Sequence, residues 1–292
     1  VNATLRAGWS YAQRRHRAQD LALRWPFAAE VLNFYAALLE VQQAASELMR
    51  TEAPARDEIP AFAAQRVLPR VVEVSAAHGP PPLQQGVLER FDTVDLEALC
   101  RAWLDGTPLE GFDRFLARAA TAPLLEALPA PALSDLGAAD ERHCPSCGGL
   151  PQLAYFGVSA DDLVTPHRYL ECSHCATSWA FARMTCAACG EIESDRLLVL
   201  SERGTLEAEM SGRTVKADLD VVPDQTARAT TPPRFPQLRI DGCLTCSQYL
   251  LSVDCGRDPA AVPAVDEIGA IPLALYAQER GLNKLVTNQM GF

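Results

Sequence analysis

The chain has 292 residues, 48% of them hydrophobic, with 26 Lys and Arg against 37 Asp and Glu and a formal net charge of −11. This length suits two or three modest domains with enough apolar content for a core, and the acidic balance argues against nucleic acid, whose binders need a basic face. No apolar run approaches the ~18 residues of a membrane span, and no basic segment leads into an apolar stretch as in an export signal, so a cytoplasmic protein is expected. The chain opens at Val1 without Met, which leaves room for residues upstream.

From about Leu5 to Leu128 the apolar period is helical. Val31, Phe34, Tyr35, Leu38, Ala45 and Leu48 recur at three and four residues, as do Leu96, Leu99, Cys100, Trp103 and Leu104, and each set forms one apolar helix face. Trp25-Pro26 and breaks at Glu52 to Pro60, Gly79 to Pro82 and Asp105 to Pro108 divide the region into five or six helices, a bundle. Cys100 reads as a core thiol, and Arg14, Arg15, His16 and Arg17, the one dense basic group, as a solvated helix face.

Leu128 to Pro131 reads as a linker, and after it the period changes to that of short strands. Strand-like runs are Leu150 to Phe156, Tyr169 to Cys172, Thr177 to Phe181, Arg196 to Leu200, Leu206 to Met210, Val215 to Leu219 and Tyr249 to Val253. Val265, Ile268, Ile271 and Leu275 predict a closing helix that Gly269 and Pro272 weaken or kink.

The chemistry lies in the cysteines. Eight of the ten form four Cys-x-x-Cys pairs, Cys144/Cys147, Cys172/Cys175, Cys186/Cys189 and Cys243/Cys246. Two intervening residues let the backbone fold over one metal as a knuckle, and two knuckles complete a tetrahedral four-sulfur shell. Disulfides would need an oxidising compartment, and a thioredoxin-like motif would need one pair opening a helix after a strand. Two mononuclear metal ions are therefore expected.

Sequential pairing, Cys144, Cys147, Cys172 and Cys175 for the first site and Cys186, Cys189, Cys243 and Cys246 for the second, closes the first locally as a ribbon with a turn near Ser159 to Pro166. Joining Cys172/Cys175 to Cys186/Cys189 would leave the outer pairs a loop of about a hundred residues to close, so sequential pairing is favoured. Gly148 and Gly190 follow the second cysteine of their knuckles, where positive φ turns N–H groups toward sulfur, as in rubredoxin-like knuckles. Ala176 and Ser247 depart from this, which predicts less complete hydrogen bonding to sulfur in the second half of each site. His143 and His174 adjoin ligands, but four thiolates fill each shell, so both read as outer or surface groups. Cys255 reads as a spare buried thiol.

Four thiolates suit zinc and mononuclear iron equally, and a closed shell leaves no position for water or substrate. Neither a Gly-rich phosphate loop, a Gly-x-Ser-x-Gly, a His-Glu-x-x-His nor a convincing nucleophile–His pair is found. No catalytic or organic-cofactor residue is assigned, and the chain is expected not to be an enzyme.

The runs Cys144-Pro-Ser-Cys147-Gly148, Arg168 through Trp179, Cys186-Ala-Ala-Cys189-Gly190 and Cys243-Leu-Thr-Cys246-Ser-Gln-Tyr-Leu250 resemble FdhE, the accessory protein for formate dehydrogenase formation. The likeness continues through Asp258-Pro259 to Asp266, Glu267 and the tail near Asn288, and at the other end covers Tyr11 to Arg17 and Trp25 to Leu48. The longer spacer before Cys243, with Gly269 and Pro272 in the closing helix, departs from the family pattern. The resemblance implies an α+β chain: an N-terminal α-helical domain over residues 1–138, rubredoxin-like β modules over 139–183 and 184–257, and a C-terminal helix and tail over 258–292. It also implies iron in the modules, with zinc the alternative, and a cytoplasmic maturation adaptor for the catalytic subunit of a respiratory formate dehydrogenase. Contact with that subunit is expected near the ribbons and the closing helix, where Asp266 and Glu267 present charge to a basic patch; acids favoured by the helix dipole are the equal alternative. The competing functions are a rubredoxin-like electron-transfer protein and, against the charge, a zinc-ribbon nucleic-acid binder.

Overall fold

The computed structural model describes residues 4–6, 8–128, 140–158, 166–202, 205–206 and 229–291. The expected linker beyond Leu128, most of the turn after residue 158, the strand at 215–219 and most of that at 206–210 lie outside the described residues.

The first segment differs from expectation: β1 (Thr4–Arg6) is a strand rather than the start of the bundle. α1 (Tyr11–Arg24) opens on a capping box in which Ser10 Oγ accepts from Gln13 N and Gln13 Oε1 accepts from Ser10 N at 2.8 Å, satisfying two donors at the helix start. After Trp25-Pro26, α2 (Ala29–Glu52) buries Leu32, Tyr35, Leu38, Leu39 and Met49 and stops at Ala53 in a left-handed conformation. α3 (Ile59–Phe62) runs through a π turn into α4 (Leu68–His78), followed by α5 (Pro81–Thr93), α6 (Leu96–Leu104) and α7 (Gly111–Ala127). The break between α5 and α6 carries no Gly or Pro; Asp95 makes it by capping α6, its carboxylate accepting from Ala98 N at 3.0 Å.

The sheet half comprises β2 (Pro151–Phe156), β3 (Arg168–Cys172), β4 (Thr177–Ala180), β5 (Leu197–Leu200), β6 (Thr205–Leu206), β7 (Ala229–Thr231), β8 (Leu238–Cys243) and β9 (Gln248–Asp254). It contains a repeat. Knuckle, two strands, knuckle and third strand occur once as β2, β3, β4 and again as β5, β8, β9, each an antiparallel ribbon. The ribbons join head to tail, because β2 of the first pairs in parallel with β9 of the second, Leu153 opposite Leu251. β1 covers the outer edge of β4, and the main order is β1-β4-β3-β2-β9-β8-β5.

The closing helix is two helices, α8 (Pro263–Gly269) and α9 (Ile271–Glu279), before β10 (Asn283–Lys284) pairs with β9. Pro272 has no N–H to continue the α8 ladder, and Gly269 sits under Trp25, where a Cβ would stand 2.5 Å from the indole ring. Trp25 in turn meets Phe235 edge-on at 4.9 Å. α8 is thereby wedged between α1 and α2 on one side and β2 and β9 on the other.

That placement overturns two expectations. Asp266 and Glu267 are buried rather than turned to a partner, and Arg17 is buried rather than solvated. Arg17 Nε donates to Asp266 Oδ2 at 2.9 Å, and its Nη2 reaches Asp258 at 2.6 Å. Asp266 also accepts from Val262 N at 2.8 Å and Gln237 Nε2 at 2.9 Å. Glu267 pairs with the buried Lys284 and accepts from Gln152, whose amide oxygen takes a bond from Arg118. Buried charges persist only when paired and hydrogen-bonded. Arg14 is largely covered as well, on Glu126, which also accepts from Tyr11 at 2.6 Å.

Candidate metal centres

Each cysteine pair closes a tight turn. Cys144 N donates to Gly149 O at 2.8 Å and Gly148 N to Cys144 O at 2.9 Å; Cys186 N to Glu191 O and Gly190 N to Cys186 O repeat this in the second ribbon at 2.8 and 3.0 Å. Positive φ follows every knuckle: 73° at Gly148, 83° at Gly190, 52° at Ala176 and 56° at Ser247. Ala176 and Ser247 thus adopt the left-handed turn despite their Cβ, and in the first site, where Cys172 is bonded as Cys144 is, the expected deficit of sulfur hydrogen bonds is not seen. His174 N donates to Cys172 Sγ at 3.4 Å, as Ser146 N does to Cys144 and Ala188 N to Cys186.

The turns bring Cys144, Cys147, Cys172 and Cys175 together, and Cys186, Cys189, Cys243 and Cys246, with the sulfurs of each set within 4.8 Å of one another. Cross-knuckle distances are 3.7 Å for Cys144–Cys175, 3.4 Å for Cys147–Cys172, 3.8 Å for Cys186–Cys246 and 3.7 Å for Cys189–Cys243. A tetrahedron with metal–sulfur bonds of about 2.3 Å has edges of about 3.8 Å, so each set fits one ion. Burial pushes the Cys172 and Cys246 thiols up, and a bound cation supplies the counter-charge that four crowded thiolates need.

The two sites differ in setting. All four sulfur residues of the first are buried, whereas in the second Cys189 is exposed and Cys246 half-buried. The first is sealed by the helices: His174 lies against Trp103 of α6 with ring centroids 4.7 Å apart, and burial brings its imidazole down to about 4. His143 sits on Asp140 at 2.9 Å. Neither histidine belongs to the four-sulfur sets.

Sequence reasoning missed three supports. Gly149 allows close approach, since a Cβ there would stand 3.0 Å from Cys172 Sγ. Arg142, held by Asp140, donates through Nη1 to Ala188 O at 2.9 Å and so ties the first knuckle to the third. Trp179 Nε1 donates to Glu141 O at 2.9 Å, fixing the chain that enters the first knuckle. The Asp140-x-Arg142-His143 pattern was the available signal. Cys100 and Cys255 lie in the core away from both sets, and burial pushes each thiol up to about 12.

Residues 143–183 match the family model described as FdhE, central domain. A protein from Aquifex aeolicus named Protein FdhE homolog is 25% identical over 217 residues, 74% of this chain and 65% of that one. A homolog of the same name from Pseudomonas putida is 29% identical over 66% of this chain and 52% of its own. A Haemophilus influenzae relative is matched over only 39% of its length. The chain thus spans less than two thirds of these relatives. The crystal structure of the FdhE protein from Pseudomonas aeruginosa shares the fold, with a TM-score of 0.61 over 96% of this chain and 95% of that one at 21% identity. No described helix is long and apolar enough to cross a membrane. In sequence, in its α+β architecture and in its two four-cysteine clusters, the chain is similar to proteins of the FdhE family.

Proposed function

We propose that this chain is a cytoplasmic adaptor in the maturation of a respiratory formate dehydrogenase, holding the catalytic subunit before export. On this reading Cys144, Cys147, Cys172 and Cys175 ligate one metal ion and Cys186, Cys189, Cys243 and Cys246 a second, iron in preference to zinc. The division at residues 138, 183 and 257 gives the helical region, the two rubredoxin-like modules and the closing segment. The supporting observation is the pair of closed four-sulfur sets within an FdhE-type fold. A filled tetrahedral shell offers no position to water or substrate, so the ions brace the ribbons and hydrolyse nothing. Capture of the catalytic subunit by the native protein, with two equivalents of metal in the same sample, is the expected result; a native, metal-loaded protein that captures no such subunit sinks the reading.

One observation favours a second role. The exposed Cys189 places one edge of the second site at the surface, where an iron ion could exchange one electron with a partner. Reversible bleaching of colour by a reductant, accompanied by a change in client affinity, would support it, whereas full activity with zinc would exclude it.

A further inference from the structure

The far end of the sheet holds a cleft of about 270 Å³ beside the second metal set, whose Cys186 forms part of its lining. Its floor carries Leu197 and Val199 of β5 and Leu250 of β9, and its wall is the 183–188 segment entering the third knuckle. Three guanidiniums line it, Arg168, Arg183 and Arg239, against one carboxylate, Asp241. In a chain of net charge −11 this is a local reversal of sign.

Arg168 is only 3% exposed. Its Nη1 donates to Ala182 O and Thr185 O at 3.1 and 3.0 Å and its Nη2 lies 3.2 Å from Asp241 Oδ2, yet its Nε is buried without a partner, as is Gln248 Oε1 on the same cleft. A buried polar atom left unpaired costs free energy unless something supplies its partner. Arg183 and Arg239 lie over the Phe156 ring at 5.0 and 4.2 Å, which fixes both at the cleft. Arg239 Nε also meets Asp241 at 3.0 Å.

The strand on the floor points to the kind of occupant. β5 is Leu197-Leu198-Val199-Leu200, uncharged, with Val199 exposed, and among the described residues it pairs only with β8. In the repeat β5 stands where β2 stands in the first ribbon, and β2 is completed by a parallel strand, β9, on the equivalent edge. An apolar, uncharged edge is a template for another strand. Nucleic acid fits poorly, because the floor is apolar and one carboxylate sits among the arginines.

Building on the adaptor reading, we propose that this cleft takes an extended segment of the client polypeptide, apolar with an acidic side chain, lying along β5 with its carboxylate against Arg183 and Arg239. The first test uses the full metal-loaded chain and a fluorescent peptide alternating Leu and Glu, with a Leu/Lys peptide and inorganic phosphate as controls. The acidic peptide should bind, the basic one should not, and Arg183→Glu should weaken binding by about tenfold or more, as loss of a facing charge does. Arg183 is exposed, so the variant is expected to keep its metals and melting temperature; Arg239→Glu is the second variant. Failure of the acidic peptide to bind, or binding by phosphate alone at the same concentration, overturns the proposal. The second test compares capture of the catalytic subunit by wild type and variants. Equal capture by wild type and both variants removes the cleft as the interface and leaves the adaptor reading standing. Peptide binding without client capture by wild type removes the adaptor reading and leaves the cleft.

Discussion

Arg17 and Asp266, 249 positions apart, meet in a buried pair that closes the helical layer onto the sheet through α8. Asp266 is fully buried and accepts from Arg17, Gln237 and the Val262 backbone, so its carboxylate is replaceable by no single neighbour. Replacing Arg17 by Ala is expected to cost about 3–5 kcal/mol, because it strands a buried carboxylate that keeps only the neutral donors Val262 N and Gln237 Nε2. Urea unfolding of the full chain measures this. A cost below about 1 kcal/mol, the range of a surface pair, would show that the pair is hydrated in solution. Charge reversal at Asp266 and Glu267 therefore reports on folding and not on partner contact.

Removal of metal should be ordered. The second site has an exposed Cys189 and a half-buried Cys246, while the first is enclosed on every sulfur. A chelator should strip one equivalent quickly and the other only on the timescale of unfolding, since ligand exchange needs access to the ion. Cys189→Ser should lose the fast equivalent and leave the helical signal intact, whereas Cys144→Ser should lose the slow one and lower the melting temperature further. Simultaneous loss of both equivalents at one rate, followed by metal-dependent absorbance and helical circular dichroism, contradicts the asymmetry.

The cysteine sets were legible because their information is local: two residues between sulfurs fix a knuckle, and the ribbon from Cys144 to Cys175 closes over a short loop. The same holds for α2, whose apolar stripe is the face it buries. What was not legible depends on partners far along the chain. Arg17 and Asp266 read as surface charges because nothing local reveals that each supplies the other's neutralisation. β8 was missed although its burial alternates, because Arg239, Asp241 and Gly242 break the apolar count that marks a strand. The parallel β2–β9 junction that fuses the ribbons joins segments about a hundred residues apart and leaves no signature in either strand.

Gly269→Ala tests the wedge formed by α8. The added Cβ would stand 2.5 Å from the Trp25 ring, itself fixed against Phe235, so the indole must move or the helix must shift. Overpacking of this kind costs about 1–3 kcal/mol. Trp25→Leu should be destabilising alone but should restore part of the loss when combined with Gly269→Ala, because the smaller side chain leaves room for the methyl group. Additive losses in the double variant, by denaturant titration, would place the strain elsewhere.

Alkylation separates the two spare thiols from the eight clustered ones. Cys100 and Cys255 are buried, and desolvation of the charged form pushes each thiol up to about 12, so at neutral pH almost none of either is the reactive thiolate. In the metal-loaded protein iodoacetamide should leave both unmodified, and the pattern should persist to about pH 9, because a raised pKa moves ionisation to higher pH. Once the chelator has removed the accessible ion, Cys189 should be modified first, with Cys246 next as the pH is raised, since burial pushes its thiol up. Peptide mass mapping reads the order directly. Early modification of Cys255 in the loaded protein would mean that the end of β9 opens in the native state, and the second ribbon could then no longer be treated as a closed unit.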